Sequence, residues 1–139
     1  MMKQLPETRD PLVLRTDFSD DTMWESVCAD IKKPVGDFKA YVDFISDPQY
    51  DHITITQILS FIPKDYNHTF IFLVDLITIA HPDHPILVVD LYKEPGRTFR
   101  VFSYAMWGVE NNLSIGNMSF EEFISAVDEK GIFRGFPES

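Results

Sequence analysis

Thr69-Phe70-Ile71-Phe72-Leu73-Val74-Asp75 and Pro85-Ile86-Leu87-Val88-Val89-Asp90-Leu91-Tyr92 decide the fold. Each holds a short apolar run that does not alternate with polar residues. Such runs read as strands covered on both faces, the centre of an α/β sheet. The first stops at Asp75 and the second passes over Asp90. Strand, carboxylate and loop in that order is how open α/β sheets build sites, and it is also how ordinary strands end.

On the N-terminal side, Thr54-Ile55-Thr56-Gln57 matches a capping box, in which the cap hydroxyl and the amide three residues on satisfy each other's backbone donors. Ile55, Ile58, Leu59 and Ile62 then trace one face of a helix running to Pro63. Before it, Lys39 to Ile45 is rich in strand formers and is stopped by Ser46-Asp47-Pro48. Trp24, Val27, Cys28 and Ile31 form an earlier helical stripe after the capping oxygens of Ser19-Asp20-Asp21, and Leu12-Val13-Leu14 opens a first strand ending near Asp17. Strand, helix, strand, helix, strand implies right-handed parallel crossovers. Residues 1–10, with Pro6, read as a flexible N-terminal arm and 11–139 as a single domain.

On the C-terminal side, Asp75 to Pro85 has room for a single helical turn. The fourth strand is placed parallel to the third, with antiparallel pairing as the open alternative, because a parallel link usually needs a dozen or more residues. Glu94-Pro95-Gly96-Arg97 reads as a hairpin connection to an edge strand, Thr98 to Phe102. Ser103 to Val109 is briefly helical and is punctuated by Asn111-Asn112 and Gly116-Asn117. Ser119-Phe120-Glu121-Glu122 is a second capping box, followed by the stripe Phe120, Phe123, Ile124 and Val127, with Gly131 ending the helix. Ile132, Phe133 and Phe136 pack the tail down. The expected architecture is a three-layer α/β domain: a mostly parallel sheet of about five strands, an antiparallel edge hairpin, and helices on both faces.

A chain of 139 residues, 45% hydrophobic and with 12 Phe, can bury a core without disulfides or metal. The net charge of −10 repels phosphate backbones and anionic lipid and attracts basic partners, which weighs against nucleic acid and membrane. It also serves plain solubility. One cysteine, Cys28, makes no intramolecular disulfide and sits on an apolar helical face as a small hydrophobe. No run approaches the roughly 18 apolar residues of a membrane span, and Met1 to Arg9 lacks a signal-peptide stretch, so the chain reads as cytoplasmic.

Three stretches offer chemistry. With four parallel strands, Asp17, Asp47, Asp75 and Asp90 fall at the strands' carboxyl ends, joined by Asp20 and Asp21, and such carboxylates suit a hard divalent cation. Aspartates also terminate strands and cap helices. His81-Pro82-Asp83-His84-Pro85 sets two imidazoles in one turn, where they can share a metal or move protons, or simply make a surface turn. Trp107-Gly108-Val109-Glu110-Asn111-Asn112 joins an aromatic to a carboxylate and two amides, a pattern that suits a partner interface or a buried Trp in a helix ended by asparagines. The chain supplies no Ser elbow, phosphate-cradling glycine loop or dinucleotide fingerprint.

Leu12 to Asp21, His81 to Leu91, Trp107 to Ser114, and Asn117-Met118 leading into Phe120-Glu121-Glu122-Phe123 resemble a family of small acidic bacterial proteins catalogued as a domain of unknown function. The resemblance covers nearly the whole chain after Pro11 and implies a shared fold and a bacterial origin, with no activity and no functional residues to transfer. Its members are similar in build to acidic immunity proteins, a likeness of fold. Two functions follow from the residues. The first is a non-enzymatic module that presents an acidic face with Trp107, Glu110, Asn111 and Asn112 to a basic protein partner, with no cofactor. The alternative is a small hydrolase or ligand-binding enzyme using Asp17 and Asp75 as metal ligands or acid and base, with His81 or His84 carrying the proton.

Overall fold

A computed structural model describes residues 4–136. One sheet of six strands organises them, in the order β2-β1-β3-β4-β5-β6. The strands are β1 (Leu12–Arg15), β2 (Asp43–Ile45), β3 (Phe70–Val74), β4 (Pro85–Asp90), β5 (Thr98–Phe102) and β6 (Ile132–Phe133). The helices are α1 (Asp21–Lys32), α2 (Ile55–Ser60), α3 (Leu76–Ala80), α4 (Met106–Ser114) and α5 (Phe120–Ile124). This is the α/β fold read from the two apolar runs, and those runs are its central pair, β3 and β4.

The pairings β1 with β2, β1 with β3 and β5 with β6 are parallel. β4 runs antiparallel to both β3 and β5, which settles the open choice against four parallel strands. Length explains it. The link of residues 75–84 is shorter than the dozen or more residues a parallel crossover usually takes, whereas antiparallel pairing starts β4 beside the end of β3 and needs no return. The β4–β5 hairpin is also not at the edge, because Ile132 and Phe133 add β6 outside it, paired with Arg100 and Val101.

Alternation along the strands sends side chains into two buried clusters. Val13, Phe70, Phe72, Val74, Ile86, Val88, Phe99 and Val101 join Trp24, Val27 and Ile31 of α1, Met106 and Val109 of α4, and Phe120 and Phe123 of α5. Leu12, Leu14, Ile71, Leu73 and Val89 join Ile58 of α2, Tyr50 and Leu5. Leu5 lies within the stretch read as an arm; it is buried, and its N–H donates to Phe61 O at 2.9 Å.

The helix starts follow the capping chemistry. Asp20 accepts from Met23 N at α1, and both reciprocal bonds of the capping box are present at Thr54/Gln57 and at Ser119/Glu122. Asp75 and Thr78 make a third box at α3. Several ends differ from expectation. α2 stops at Ser60 and α5 at Ile124, β2 begins only at Asp43, and α4 runs through the two asparagines to Ser114. None of the helices among the described residues is long and apolar enough to cross a membrane.

Candidate functional site

The carboxyl ends of β1, β2 and β3 share one edge of the sheet, and a buried arginine ties it together. Arg15 sends Nε to Asp17 O at 3.0 Å, Nη1 to Ser46 Oγ at 3.3 Å and Nη2 to Asp21 Oδ1 at 2.7 Å. Its guanidinium also lies 4.3 Å from the Phe18 ring centre. His52 N donates to Thr16 O at 2.8 Å, drawing the 47–52 loop to the same place. Asp17, Asp20, Asp21, Asp47 and Asp51 therefore collect around the end of β1 and β2. Asp17 itself is buried, and its Oδ1 accepts from Ser19 N at 3.0 Å and from the Ser19 hydroxyl.

Asp75 ends the neighbouring strand and is fully engaged. It accepts from Thr78 N at 3.1 Å and Thr78 Oγ1 at 3.0 Å as the cap of α3. Arg100 reaches it from β5 with two parallel bonds, Nη1 to Oδ1 at 3.0 Å and Nη2 to Oδ2 at 2.7 Å. Burial pushes its carboxyl up, but the hydrogen bonds and charge of Arg100, together with the Thr78 bonds, outweigh burial and hold it below the usual value. The antiparallel course of β4 sends Asp90 to the opposite edge, facing Phe70 in register. There it accepts from Tyr92 N, Glu94 N and Arg97 Nη2 and shapes the turn into β5.

The two histidines have separate local tasks. His84 is buried with φ +48°, and its Nδ1 lies 2.9 Å from Thr78 O, so that nitrogen carries a proton. His81 is exposed, and its Nδ1 accepts from Asp83 N at 3.0 Å. Among the described residues, no three His, Cys, Asp or Glu side chains are grouped so as to hold a metal ion.

Trp107, Glu110, Asn111 and Asn112 all lie on α4. Glu110 is 3% exposed and accepts from Tyr41 N at 2.6 Å, Asn111 Nδ2 at 2.9 Å and Ser114 Oγ at 2.6 Å. Asn111 Nδ2 also donates to Lys39 O at 3.0 Å, so these two side chains hold the 39–41 backbone against the helix. Asn112 donates to Gly108 O at 2.7 Å and accepts from Asn117 Nδ2 at 2.8 Å, fixing the turn after α4. Trp107 is half-buried and stacks on Phe38 at 4.7 Å between ring centres, with the Phe38 side exposed.

Three features were not singled out in the sequence. Arg15 is a buried cation at the acidic edge. Leu76 and Ile77, on α3, are 58% and 55% exposed beside that edge. A cleft of about 390 Å³ opens at the other edge between α4 and α5, over Phe70, Leu113, Met118 and Phe120. Leu76, Ile77 and Ile79 stand close together in the sequence, but nothing in that spacing says which of them face out.

The model of a family described as a domain of unknown function, DUF6924, matches residues 10–136, and the chain belongs to that family. No curated protein and no solved structure matches it.

Proposed function

We propose that this member of the family works by binding another protein rather than by catalysis, and that its partner is basic. One observation carries the reading: six aspartates, Asp17, Asp20, Asp21, Asp47, Asp51 and Asp75, gather at one sheet edge against two arginines, Arg15 and Arg100, each already paired with one of them. The whole-chain charge of −10 adds a long-range field of the same sign. Such a surface steers cationic partners and raises their association rate.

The hydrolase alternative draws less support. Asp75 is committed to Arg100 and to the α3 cap, His84 to Thr78 O, and Asp17 to Ser19. Glu110, Asn111 and Asn112 likewise serve the fold, which leaves Trp107 with Phe38 as the part of that stretch able to touch a partner.

Co-purification of the full chain from its host, at low and at high salt, tests the reading. A basic protein should be retained at low salt and lost as salt rises, because exposed charges are screened within about 10 Å at 0.1 M. Retention of that protein unchanged at high salt, or recovery of neutral and acidic proteins alone, would falsify it.

A further inference from the structure

Resting on the basic-partner reading, we infer that the partner is gripped on the outward face of α3, with Leu76 and Ile77 as the apolar anchor. The segment that fits there interleaves apolar side chains with lysine or arginine. α3 divides its residues sharply: Thr78 and Ile79 are buried, whereas Leu76 and Ile77 are 58% and 55% exposed. Two adjacent large aliphatic side chains on a soluble surface make an unpartnered helix face.

The face is rigid. Asp75 caps it and is locked to Arg100, Thr78 Oγ1 donates to Pro85 O at 2.8 Å, and the buried His84 ring donates to Thr78 O. A platform held this way loses little freedom when it is occupied, which favours affinity.

Charge selects the occupant. α3 begins at the end of β3, where Thr16 N donates to Val74 O, so the aspartates of the 17–21 loop lie one strand away. Beyond them are Asp47 and Asp51. α3 also packs beside α1. An apolar centre with a polar rim is the anatomy of a protein interface, and this rim stays net acidic after Arg15 and Arg100 are paired with Asp21 and Asp75, so it favours basic segments over acidic ones. A second exposed apolar patch, Phe38 with Tyr41, has Lys39 over the Tyr41 ring at 5.1 Å and lacks that complementarity.

Two short synthetic peptides test this with the full chain, one alternating leucine and lysine, the other with serine in place of leucine. Calorimetry gives affinity, and amide chemical shifts give location. The leucine–lysine peptide should bind with shifts centred on residues 17–21, 46–52 and 75–80, and the serine–lysine peptide about tenfold more weakly. Leu76→Ser with Ile77→Ser should cost about tenfold in affinity at unchanged melting temperature, because both side chains are exposed. Ile77→Lys alone should abolish binding by like-charge repulsion, and Phe38→Ser should leave it intact. Equal affinity for wild type and both α3 variants, or shifts centred on Phe38 and Trp107, would overturn the inference while leaving the basic-partner reading standing. Absence of binding by either peptide at low salt would remove both.

Discussion

Asp75→Asn isolates the Arg100 ion pair from the helix cap, because asparagine still accepts from Thr78 N in the cap position. It presents an amide where Arg100 expects a carboxylate. Breaking a fully buried pair costs about 3–5 kcal/mol. Here the Arg100 and Asp75 side chains are 18% and 27% exposed, so water screens part of that, and the expected loss is about 2 kcal/mol. Asp75→Ala removes the cap as well and should cost about 1 kcal/mol more. For a chain of this length each kcal/mol lowers the melting temperature by about 3 °C, giving falls of about 6 °C and about 9 °C. The pH dependence supplies a second, independent check. The folded-state pKa is depressed, so the stability from Asp75 is complete above the unfolded carboxylate value of about 3.9 and disappears as pH falls through the folded value. The gap between wild type and Asp75→Asn, measured by urea unfolding, should be widest at neutral pH and should close in acid. A gap below about 0.5 kcal/mol at neutral pH, or one that persists unchanged in acid wherever both proteins fold, would show that Arg100 and Asp75 do not act as a pair.

Glu110→Ala should lose about 2–3 kcal/mol, because Tyr41 N, Asn111 Nδ2 and Ser114 Oγ all lose an acceptor. Amide exchange at Tyr41 should quicken with it, and unchanged exchange would deny the clasp. Burial pushes the Cys28 thiol up to about 11, with Lys32 and Arg15 pulling weakly the other way. Alkylation should therefore be slow near pH 8 and rise about tenfold per pH unit toward that value, whereas a rate like that of free cysteine would contradict it. A Cβ on Gly108 would sit 2.8 Å from Phe136 Cε2, the far end of a partly exposed ring that can swing away. Gly108→Ala gains up to about 1 kcal/mol of helix propensity, so its stability should stay within about 0.5 kcal/mol of wild type while the Phe136 ring signals move. A large loss would mean that the ring is pinned.

Local chemistry explains which elements were legible. Capping oxygens and the four-point stripes are short-range signals, and they placed α1, α2 and α5 because cap and stripe agree in each. The far ends of α2 and α5 were not legible, since nothing in either stripe says where packing ends. α4 shows the opposite failure. Asn111 and Asn112 look like helix breakers, yet their amides are taken by Lys39 O and Gly108 O, and Glu110 is taken by Tyr41 N. The same capture explains the late start of β2: Tyr41 spends its N–H on a side chain from α4, and regular pairing with β1 resumes only at Asp43. A contact between residues 69 positions apart leaves no trace in a local pattern.

The acidic edge was legible in part, because Asp17, Asp20, Asp21 and Asp47 follow strands whose direction the crossovers dictate. Asp90 was misplaced by the direction of β4 alone, and Arg100 was invisible because it arrives from β5 across the sheet. Leu76 and Ile77 fall between these cases. A helix advances about 100° per residue, so in a four-residue run the first two side chains centre on one side and the last two on nearly the opposite side. Leu76, Ile77 and Ile79 are all large and aliphatic, so hydrophobicity alone does not say which of them face out, and it would not by itself turn Thr78 inward. Asp75 chooses: as cap it must reach Thr78 N, its carboxylate must also meet Arg100, and Thr78 Oγ1 must reach Pro85 O. These three bonds turn Thr78 and Ile79 inward and leave Leu76 and Ile77 in water. The exposed apolar face is thus a consequence of the same polar network that engages Asp75, and under the binding proposal that residue, weighed from the sequence as a metal ligand, aims the surface a partner would meet.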